Sequence, residues 1–173
     1  DYLNHKADII CLSKGLTGGV MPLGVTSCAK FIYNAFLSDD KMKTFFHGHS
    51  YTANPTACSA ALASLDLFDK SEAFENIDRI EKKHHVFLQK IKSHKALIEV
   101  RQLGTIIAFE IKTKEHTNYL NSLAEQISDF FIAKGIILRP LGNIVYILPP
   151  YCIKNEDLDY IYRSVEEFLD GQL

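Results

Sequence analysis

The first candidate for chemistry is Lys14, which stands where a short apolar run meets a glycine-rich segment. Open α/β sheets place ligand sites where a strand ends in such a loop. A lysine that is partly desolvated there can react as the neutral amine and form a Schiff base with an aldehyde. The residues alone favour the alternative, an ordinary lysine of a solvated loop, because glycine loops are common.

The second candidate is the segment from His47 to Pro55, in which small hydroxyl residues come just before a helix start. Free N–H groups and the helix dipole attract anions at such a place, so the segment suits a phosphate. His47 and His49 also suggest a metal, but two histidines without further ligands nearby are weak evidence, and no metal site is predicted. The competing interpretation is a structured turn with ordinary capping residues.

The third candidate is Arg139, which lies between two predicted strands, with Tyr146 a short distance further along the chain. A guanidinium can hold a carboxylate through two parallel hydrogen bonds. From the residues alone, a strand-end arginine in solvent is the stronger interpretation. Glu110 alternates with apolar neighbours, and His84 and His85 lie on a charged helix, so these three are interpreted as surface residues.

Apolar runs and turn residues predict the elements that position the first two candidates. Asn54 and Pro55 predict a helix start, because asparagine caps free N–H groups and proline suits the first helical position. The opening strand is apolar on both faces and needs parallel neighbours that the chain does not obviously supply. The elements predicted before this helix are a buried strand over 7–13, a loop over 14–19, a strand over 22–28 and a short helix over 29–37.

The second part of the chain shows a different pattern. Apolar positions at helical spacing from Phe74 predict an amphipathic helix that ends near His94. Gly135 predicts a left-handed helix end, and Asn155 predicts the cap of a last helix. The other elements predicted here are strands over 97–100, 105–111, 136–138 and 144–148, a helix marked by apolar residues from Leu120 to Phe131, and a turn over 140–143.

The composition is that of an ordinary folded protein. Of the 173 residues 47% are hydrophobic and 23% are charged, which excludes a disordered chain. The net charge of -2 gives no indication of nucleic acid or an anionic membrane as partner, and no apolar run approaches the ~20 residues of a membrane helix. The four scattered cysteines favour reduced thiols in a cytoplasmic protein over a disulfide framework.

The change of pattern predicts two domains. Residues 1–75 are interpreted as the end of an α/β unit, and residues 76–173 as a compact α+β unit. Because the chain starts at Asp1 and an apolar strand follows almost at once, we expect it to be a piece of a longer polypeptide.

Together these segments resemble the class III pyridoxal-phosphate aminotransferases of fold type I. The resemblance implies the C-terminal part of such an enzyme: residues 1–75 end the large cofactor-binding α/β domain, and 76–173 form the small C-terminal α+β domain. The family's phosphate loop, ring-stacking aromatic and pyridine-pairing aspartate belong to an upstream half, so we expect the chain alone to be inactive. The motifs that carry the resemblance span residues 8–19, 47–58, 135–140 and 143–151.

The resemblance implies roles for five residues. Lys14 matches the catalytic lysine that forms the Schiff base with pyridoxal 5'-phosphate. Ser50 takes the place of a Thr or Ser whose hydroxyl and backbone N–H reach the cofactor phosphate of the partner subunit. Gly48 matches a glycine of the same active-site turn, on the substrate side. Arg139 matches the arginine that binds the substrate carboxylate, and Tyr146 a tyrosine near that pocket.

The Arg-Pro and Tyr-x-x-Pro-Pro-Tyr segments are most similar to the branch of the family that serves biotin biosynthesis. This implies transamination of 8-amino-7-oxononanoate to 7,8-diaminononanoate by a cytoplasmic homodimer with shared active sites. The amino donor stays open between adenosylmethionine and lysine. Two alternatives also stay open: another class III enzyme with an ω-amino acid or ornithine-like substrate, and a non-catalytic dimerisation fragment.

Overall fold

The computed structural model describes residues 5–171, which divide into two compact units between Lys70 and Ser71. The sequence predicts this boundary after residue 75, inside a helix that in fact begins at Ser71. The first unit, up to Lys70, and the second unit, from Ser71, each combine helices with an antiparallel sheet. Over residues 5–171, no helix is long and apolar enough to cross a membrane.

The first unit contains a two-stranded antiparallel ribbon and two α-helices. Ile9 pairs with Cys28 at one end of the ribbon, and Leu12 pairs with Val25 at the other. Its elements are β1 (Ile9–Leu12), a 3₁₀ helix (Lys14–Thr17), β2 (Val25–Cys28), α1 (Lys30–Phe36), a second 3₁₀ helix (Lys41–Lys43) and α2 (Pro55–Phe68).

The first strand forms as predicted, but the prediction that it is buried is wrong. Its partner β2 runs antiparallel, and no parallel strand adjoins it among the described residues. Ile10 is 46% exposed, and the side chains of Ile9 and Leu12 are exposed as well. Since a two-stranded ribbon has no layer of its own to cover it, the apolar side chains of β1 remain open on the described unit.

The second unit packs three helices with a three-stranded antiparallel sheet in the order β3-β4-β5. Its core includes Phe109 and Ile107 from the sheet, Phe131 from one helix and Leu158 and Leu169 from another. The elements are α3 (Ser71–Ile91), β3 (Leu97–Leu103), β4 (Ile106–Ile111), α4 (Leu123–Ala133), β5 (Ile144–Ile147) and α5 (Asn155–Asp170).

Two local predictions in the second unit are wrong. The segment 136–138 is no strand: Ile136 is buried and Ile137 is 93% exposed, as in an extended chain, but the segment has no strand partner among the described residues. Asn155 is the first residue of α5 and not its cap, a position that Lys154 takes. The Asn155 side chain instead accepts a hydrogen bond of 2.7 Å from Arg79 Nη1.

His84 is buried, which contradicts its interpretation as a surface residue, whereas His85 is exposed as expected. The Nε2 atom of His84 lies 3.0 Å from the carbonyl oxygen of Thr105, and Nδ1 lies 2.7 Å from the hydroxyl of Tyr162. Because a carbonyl only accepts, Nε2 carries the hydrogen and Nδ1 accepts from Tyr162. Burial lowers the pKa of His84 to about 4, so the imidazole is neutral at pH 7.

Candidate active site

Lys14 opens the sharp turn that follows β1. Ser13 is extended, and Lys14 then takes a left-handed backbone with φ of 53°, which is uncommon for a residue other than glycine. The short helix ends at Gly18, whose N–H donates to the carbonyl of Gly15 over 3.0 Å. The Lys14 side chain is exposed and makes no hydrogen bond or ion pair with another described residue. The expectation of a partly desolvated lysine is therefore wrong for the described unit, in which the amine is open to solvent and to a ligand.

The short helix that begins at Lys14 is held in place by hydrogen bonds of Thr17 and by packing against α2. Thr17 is 2% exposed. Its hydroxyl donates to the carbonyl of Met21 over 2.5 Å and accepts from the Met21 N–H over 3.4 Å. The short helix packs against α2, where a Cβ added to Gly18 would lie 3.7 Å from the Ser64 hydroxyl. The turn that bears Lys14 thus rests on a helix while the reactive end of the side chain faces outward.

The loop before α2 is a closed turn with Ser50 at its tip. The His49 N–H donates to the Thr52 hydroxyl over 2.9 Å, and the Thr52 N–H donates back to the His49 carbonyl over 3.0 Å. The Tyr51 N–H donates to Nδ1 of His49. Neither the N–H nor the hydroxyl of Ser50 bonds another described residue, and Gly48 beside the turn is exposed. A structured turn is confirmed, and it leaves both donors of Ser50 to a ligand.

The predicted cap of α2 is confirmed. The Asn54 side-chain oxygen accepts from the N–H groups of Thr56 over 2.9 Å and Ala57 over 3.4 Å, and the Asn54 carbonyl accepts from Cys58. Since proline at the first position has no N–H, the first turn of α2 keeps no free donor. The expectation of free N–H groups at the helix start is therefore wrong, whereas phosphate binding by the segment stays a prediction that rests on the donors of Ser50.

Backbone strain marks both segments. Lys14 and Ala53, with φ of 53° and 56°, are the non-glycine residues with positive φ among those described. Such a conformation costs about 1–2 kcal/mol per residue and is found preferentially at functional sites.

Around His47 and His49, no cluster of three or more metal-ligating side chains forms among residues 5–171.

In the second unit, Arg139 is an exposed arginine with a hydrogen bond to one tyrosine. Its Nη2 donates to the Tyr119 hydroxyl over 3.3 Å. This hydrogen bond, with the charge interactions of Tyr119 and Tyr146, raises the pKa of Arg139 above its ordinary value. No carboxylate among the described residues pairs with Arg139, so its positive charge is available to a carboxylate ligand.

Tyr146 contributes to the raised pKa of Arg139, and the assignment of both residues to one substrate pocket stays a prediction. The structure adds Tyr119, which no sequence pattern indicates, because this residue lies in an irregular polar segment between β4 and α4. Lys14, Gly48 and Ser50 belong to the first unit.

Comparison with known families identifies the chain. The family described as aminotransferase class-III matches residues 1–169. The chain belongs to the class III aminotransferases. This confirms the resemblance, and with it the assignment to the mixed α/β fold of the fold-type I transferases.

Two relatives within the class III aminotransferases share one enzyme name. An adenosylmethionine-8-amino-7-oxononanoate aminotransferase of Synechococcus elongatus is 42% identical over 95% of this chain and 38% of its own length. The crystal structure of the enzyme of that name from Methanocaldococcus jannaschii superimposes with a TM-score of 0.87 at 36% identity, over 96% of this chain and 39% of the other. The chain thus spans about two fifths of the length of these relatives.

The family depends on pyridoxal phosphate. An amine transaminase from an uncultivated Pseudomonas species, solved in its PLP-bound form, superimposes with a TM-score of 0.80 at 28% identity. The match covers 92% of this chain and 37% of the transaminase.

Proposed function

We propose that this chain is the C-terminal part of a pyridoxal-phosphate-dependent aminotransferase that converts 8-amino-7-oxononanoate to 7,8-diaminononanoate in biotin biosynthesis. The observation that carries the reaction class is the exposed, unpaired amine of Lys14 on a strained turn. The names of the relatives support the substrate, and Arg139, which pairs with no carboxylate among the described residues, supports a carboxylate on it. With the boundary that the structure gives, the first unit would then end the large domain, and the second unit, from Ser71, would form the small one.

The residues of the first unit fit the cofactor. Nζ of Lys14 would bind its aldehyde group, because this amine has no competing partner among the described residues. The free N–H and hydroxyl of Ser50 would hold the phosphate of the partner subunit's cofactor in the proposed homodimer, through charge-assisted hydrogen bonds. When bound, pyridoxal phosphate supplies an electron-withdrawing ring that stabilises negative charge at the reacting carbon.

Lys14 has a second task as the proton carrier. With the cofactor bound, Nζ of Lys14 would act as the base that takes up the proton from the carbon bearing the donor's amino group. In the second half of the reaction, the same nitrogen would donate a proton to the carbon that was the acceptor ketone. Proton transfer by a positioned group contributes ~10²–10⁴-fold to the rate.

Arg139 binds and orients the acceptor. Its guanidinium can form two parallel hydrogen bonds with the remote carboxylate, which orients the acceptor in the second unit. Tyr146 lies close enough to influence this charge, and Gly48 leaves the active-site turn without a side chain beside the substrate. We also propose a cytoplasmic homodimer with shared active sites, in which Ser50 serves the cofactor of the partner subunit, and no nucleic acid or membrane partner.

A second candidate is another class III reaction, with an amine, ω-amino acid or ornithine-like substrate. The similarity to the amine transaminase supports it. The two candidates differ in what they require of Arg139, because an amine without a carboxylate gains nothing from this guanidinium.

Borohydride trapping tests the reaction class. The complete enzyme, which carries this chain together with the portion that completes the length of its relatives, is loaded with pyridoxal phosphate and reduced. We expect the visible absorbance to disappear and the added mass to lie on the peptide that contains Lys14. Lys14→Ala should abolish the trapping and lower turnover by at least ~10²–10⁴-fold.

The matched control is Lys30→Ala, which removes another exposed lysine of the first unit. This variant should keep both the trapped cofactor and the turnover. Turnover of Lys14→Ala within tenfold of the unchanged enzyme would remove Lys14 from the mechanism. A folded complete protein that takes up no cofactor would instead support the non-catalytic dimerisation fragment.

A further inference from the structure

We infer that Tyr119 is a positioning residue for Arg139, which aims the guanidinium at the carboxylate of the acceptor. The inference rests on the proposed function, because it assumes that Arg139 meets a substrate carboxylate. It adds a residue from a different segment of the second unit, and thereby a determinant of which acceptors bind well.

The first step of the argument is the freedom of an exposed arginine. Such a side chain carries about 2 kcal/mol of rotamer entropy, part of which is lost when a ligand is bound. The Tyr119 hydroxyl accepts one hydrogen bond from Nη2 of Arg139 over 3.3 Å and leaves the other N–H donors of the guanidinium without described partners. One end is thus held while the remaining donors can form a bidentate pair with a carboxylate.

The second step is that the residues on both sides of Tyr119 are held by hydrogen bonds. Nδ2 of Asn118 donates to the His116 carbonyl over 2.9 Å, and Oδ1 of Asn118 accepts from the Leu120 N–H over 2.8 Å. The neighbouring Asn121 is buried, and its Nδ2 donates to the same His116 carbonyl over 3.2 Å. Tyr119 therefore sits at the tip of a hydrogen-bonded loop, although its own side chain is 60% exposed.

The third step is that this loop packs against the turn that follows Arg139. Gly142 has a left-handed φ of 64°, and a Cβ added to it would lie 1.8 Å from the Asn118 carbonyl oxygen. The buried Asn143 donates from Nδ2 to the Thr117 hydroxyl over 3.2 Å. These contacts fix the backbone at Tyr119 relative to the backbone at Arg139. The tyrosine hydroxyl is therefore already in place to hold the guanidinium before a ligand binds.

The test measures kinetics of the complete enzyme with 8-amino-7-oxononanoate. Tyr119→Phe should raise KM by about 3- to 10-fold and leave kcat within about twofold, because it loosens binding of the carboxylate and does not touch the proton transfer. A ketone acceptor without a carboxylate should show unchanged KM. An unaltered melting temperature should accompany the change, since the Tyr119 side chain is largely in solvent.

The matched control is Tyr160→Phe. Tyr160 is another exposed tyrosine of the second unit, and its hydroxyl donates to the Lys134 carbonyl over 3.0 Å. It removes a comparable hydrogen bond away from Arg139 and should leave KM unchanged. A KM that rises equally in both variants would show a general structural effect and would overturn the inference.

Arg139→Ala separates the inference from the proposed function. It should lower kcat/KM for 8-amino-7-oxononanoate by about 30- to 1,000-fold, and adding Tyr119→Phe to it should cause no further loss. Unchanged kinetics of Arg139→Ala would overturn the carboxylate site itself. A loss in Arg139→Ala with none in Tyr119→Phe would overturn the role of Tyr119 alone. A further loss in the double variant would show that Tyr119 contacts the substrate directly, which also contradicts positioning.

Discussion

The two units differ in how far each covers its own apolar side chains. In the described part of the first unit, the buried apolar side chains are Ala57 and Ala61, both on α2. The second unit buries large side chains from its sheet and all three helices in one cluster. Apolar side chains left exposed in the first unit are Ile9, Ile10, Leu12, Val20, Val25, Phe31, Tyr33, Phe36, Leu37, Met42, Phe45, Phe46, Tyr51, Leu62, Leu65, Leu67 and Phe68.

This difference shows that the two units have different sources of stability. The second unit has a closed core, and burial of apolar surface stabilises it by about 25 cal/mol per Å². Large exposed apolar surfaces are typical of contact surfaces, and we propose that another part of the complete protein covers the one on the first unit. The candidate cofactor-binding residues Lys14 and Ser50 lie on this less self-sufficient unit.

The largest expected effect comes from replacing an isoleucine by alanine in the sheet of each unit and comparing the two losses of stability. Ile107→Ala empties a site that is 0% exposed and should lower the free energy of unfolding of the second unit by about 2–5 kcal/mol. Ile10→Ala, on a strand residue that is 46% exposed, should cost less than about 1 kcal/mol in the 173-residue chain. Urea unfolding followed by circular dichroism measures both.

The same pair can be made in the complete enzyme. If its remaining portion or a second subunit covers β1, Ile10→Ala should there become costly, approaching the effect of Ile107→Ala. Equal and large losses already in the 173-residue chain would contradict the contrast between the units.

Local sequence signals predicted most of the elements. Asn54 and Pro55 predicted the start of α2, and Gly135, with φ of 72°, predicted the end of α4. The segment 136–138 has the composition of a strand, but strand formation also needs a hydrogen-bonding partner, which a local pattern does not contain. The prediction that β1 is buried is wrong for the same reason, because burial depends on which residues pack over the strand.

His84 should give the second unit an acid-sensitive stability. An unfolded histidine binds a proton near pH 6.5, whereas His84 in the fold stays neutral down to about pH 4. As the pH falls, the unfolded state therefore takes up a proton before the folded state does. The free energy of unfolding keeps its full value above pH 6.5 and decreases as the pH falls towards 4. The shift corresponds to about 3 kcal/mol, measured as urea unfolding free energy against pH.

His84→Gln cannot take up this proton and should flatten that part of the pH profile. His85→Gln, on the exposed neighbour in the same helix, should keep the profile of the unchanged chain. A steep profile in His84→Gln would assign the acid sensitivity to other groups. The pH dependence belongs to the second unit, because the partners of His84 are Tyr162 and Thr105.

The smallest expected effect concerns the first unit and its ligand. Ser50→Ala removes one hydrogen bond to a charged phosphate, which is worth roughly 1.5–3 kcal/mol, so cofactor affinity should drop about ten- to a hundredfold. Titration of the complete enzyme with pyridoxal phosphate measures it. Thr52→Ala disrupts the turn without removing the Ser50 hydroxyl and is the matched control for a merely structural effect. Unchanged affinity in Ser50→Ala would count against a phosphate at this turn.

The site was only partly predictable. The family resemblance singles out Lys14, Ser50 and Arg139 as candidates, whereas the residue types and their neighbours alone leave ordinary surface interpretations open. The burial of His84 could have been found from the helical spacing, because it continues the apolar stripe through Ile80 and Phe87. Tyr119 could not, because its approach to Arg139 depends on a loop built from side-chain hydrogen bonds, which leave no periodic pattern.

The left-handed backbone at Lys14 has a consequence for protein engineering. Glycine adopts this conformation without strain, so Lys14→Gly would relieve about 1–2 kcal/mol at that position. A library of variants screened only for heat resistance would therefore favour loss of the one amine that the proposed reaction requires. Position 14 should be held constant in any such campaign, and enrichment of glycine there would be a direct readout of the conflict between durability and catalysis.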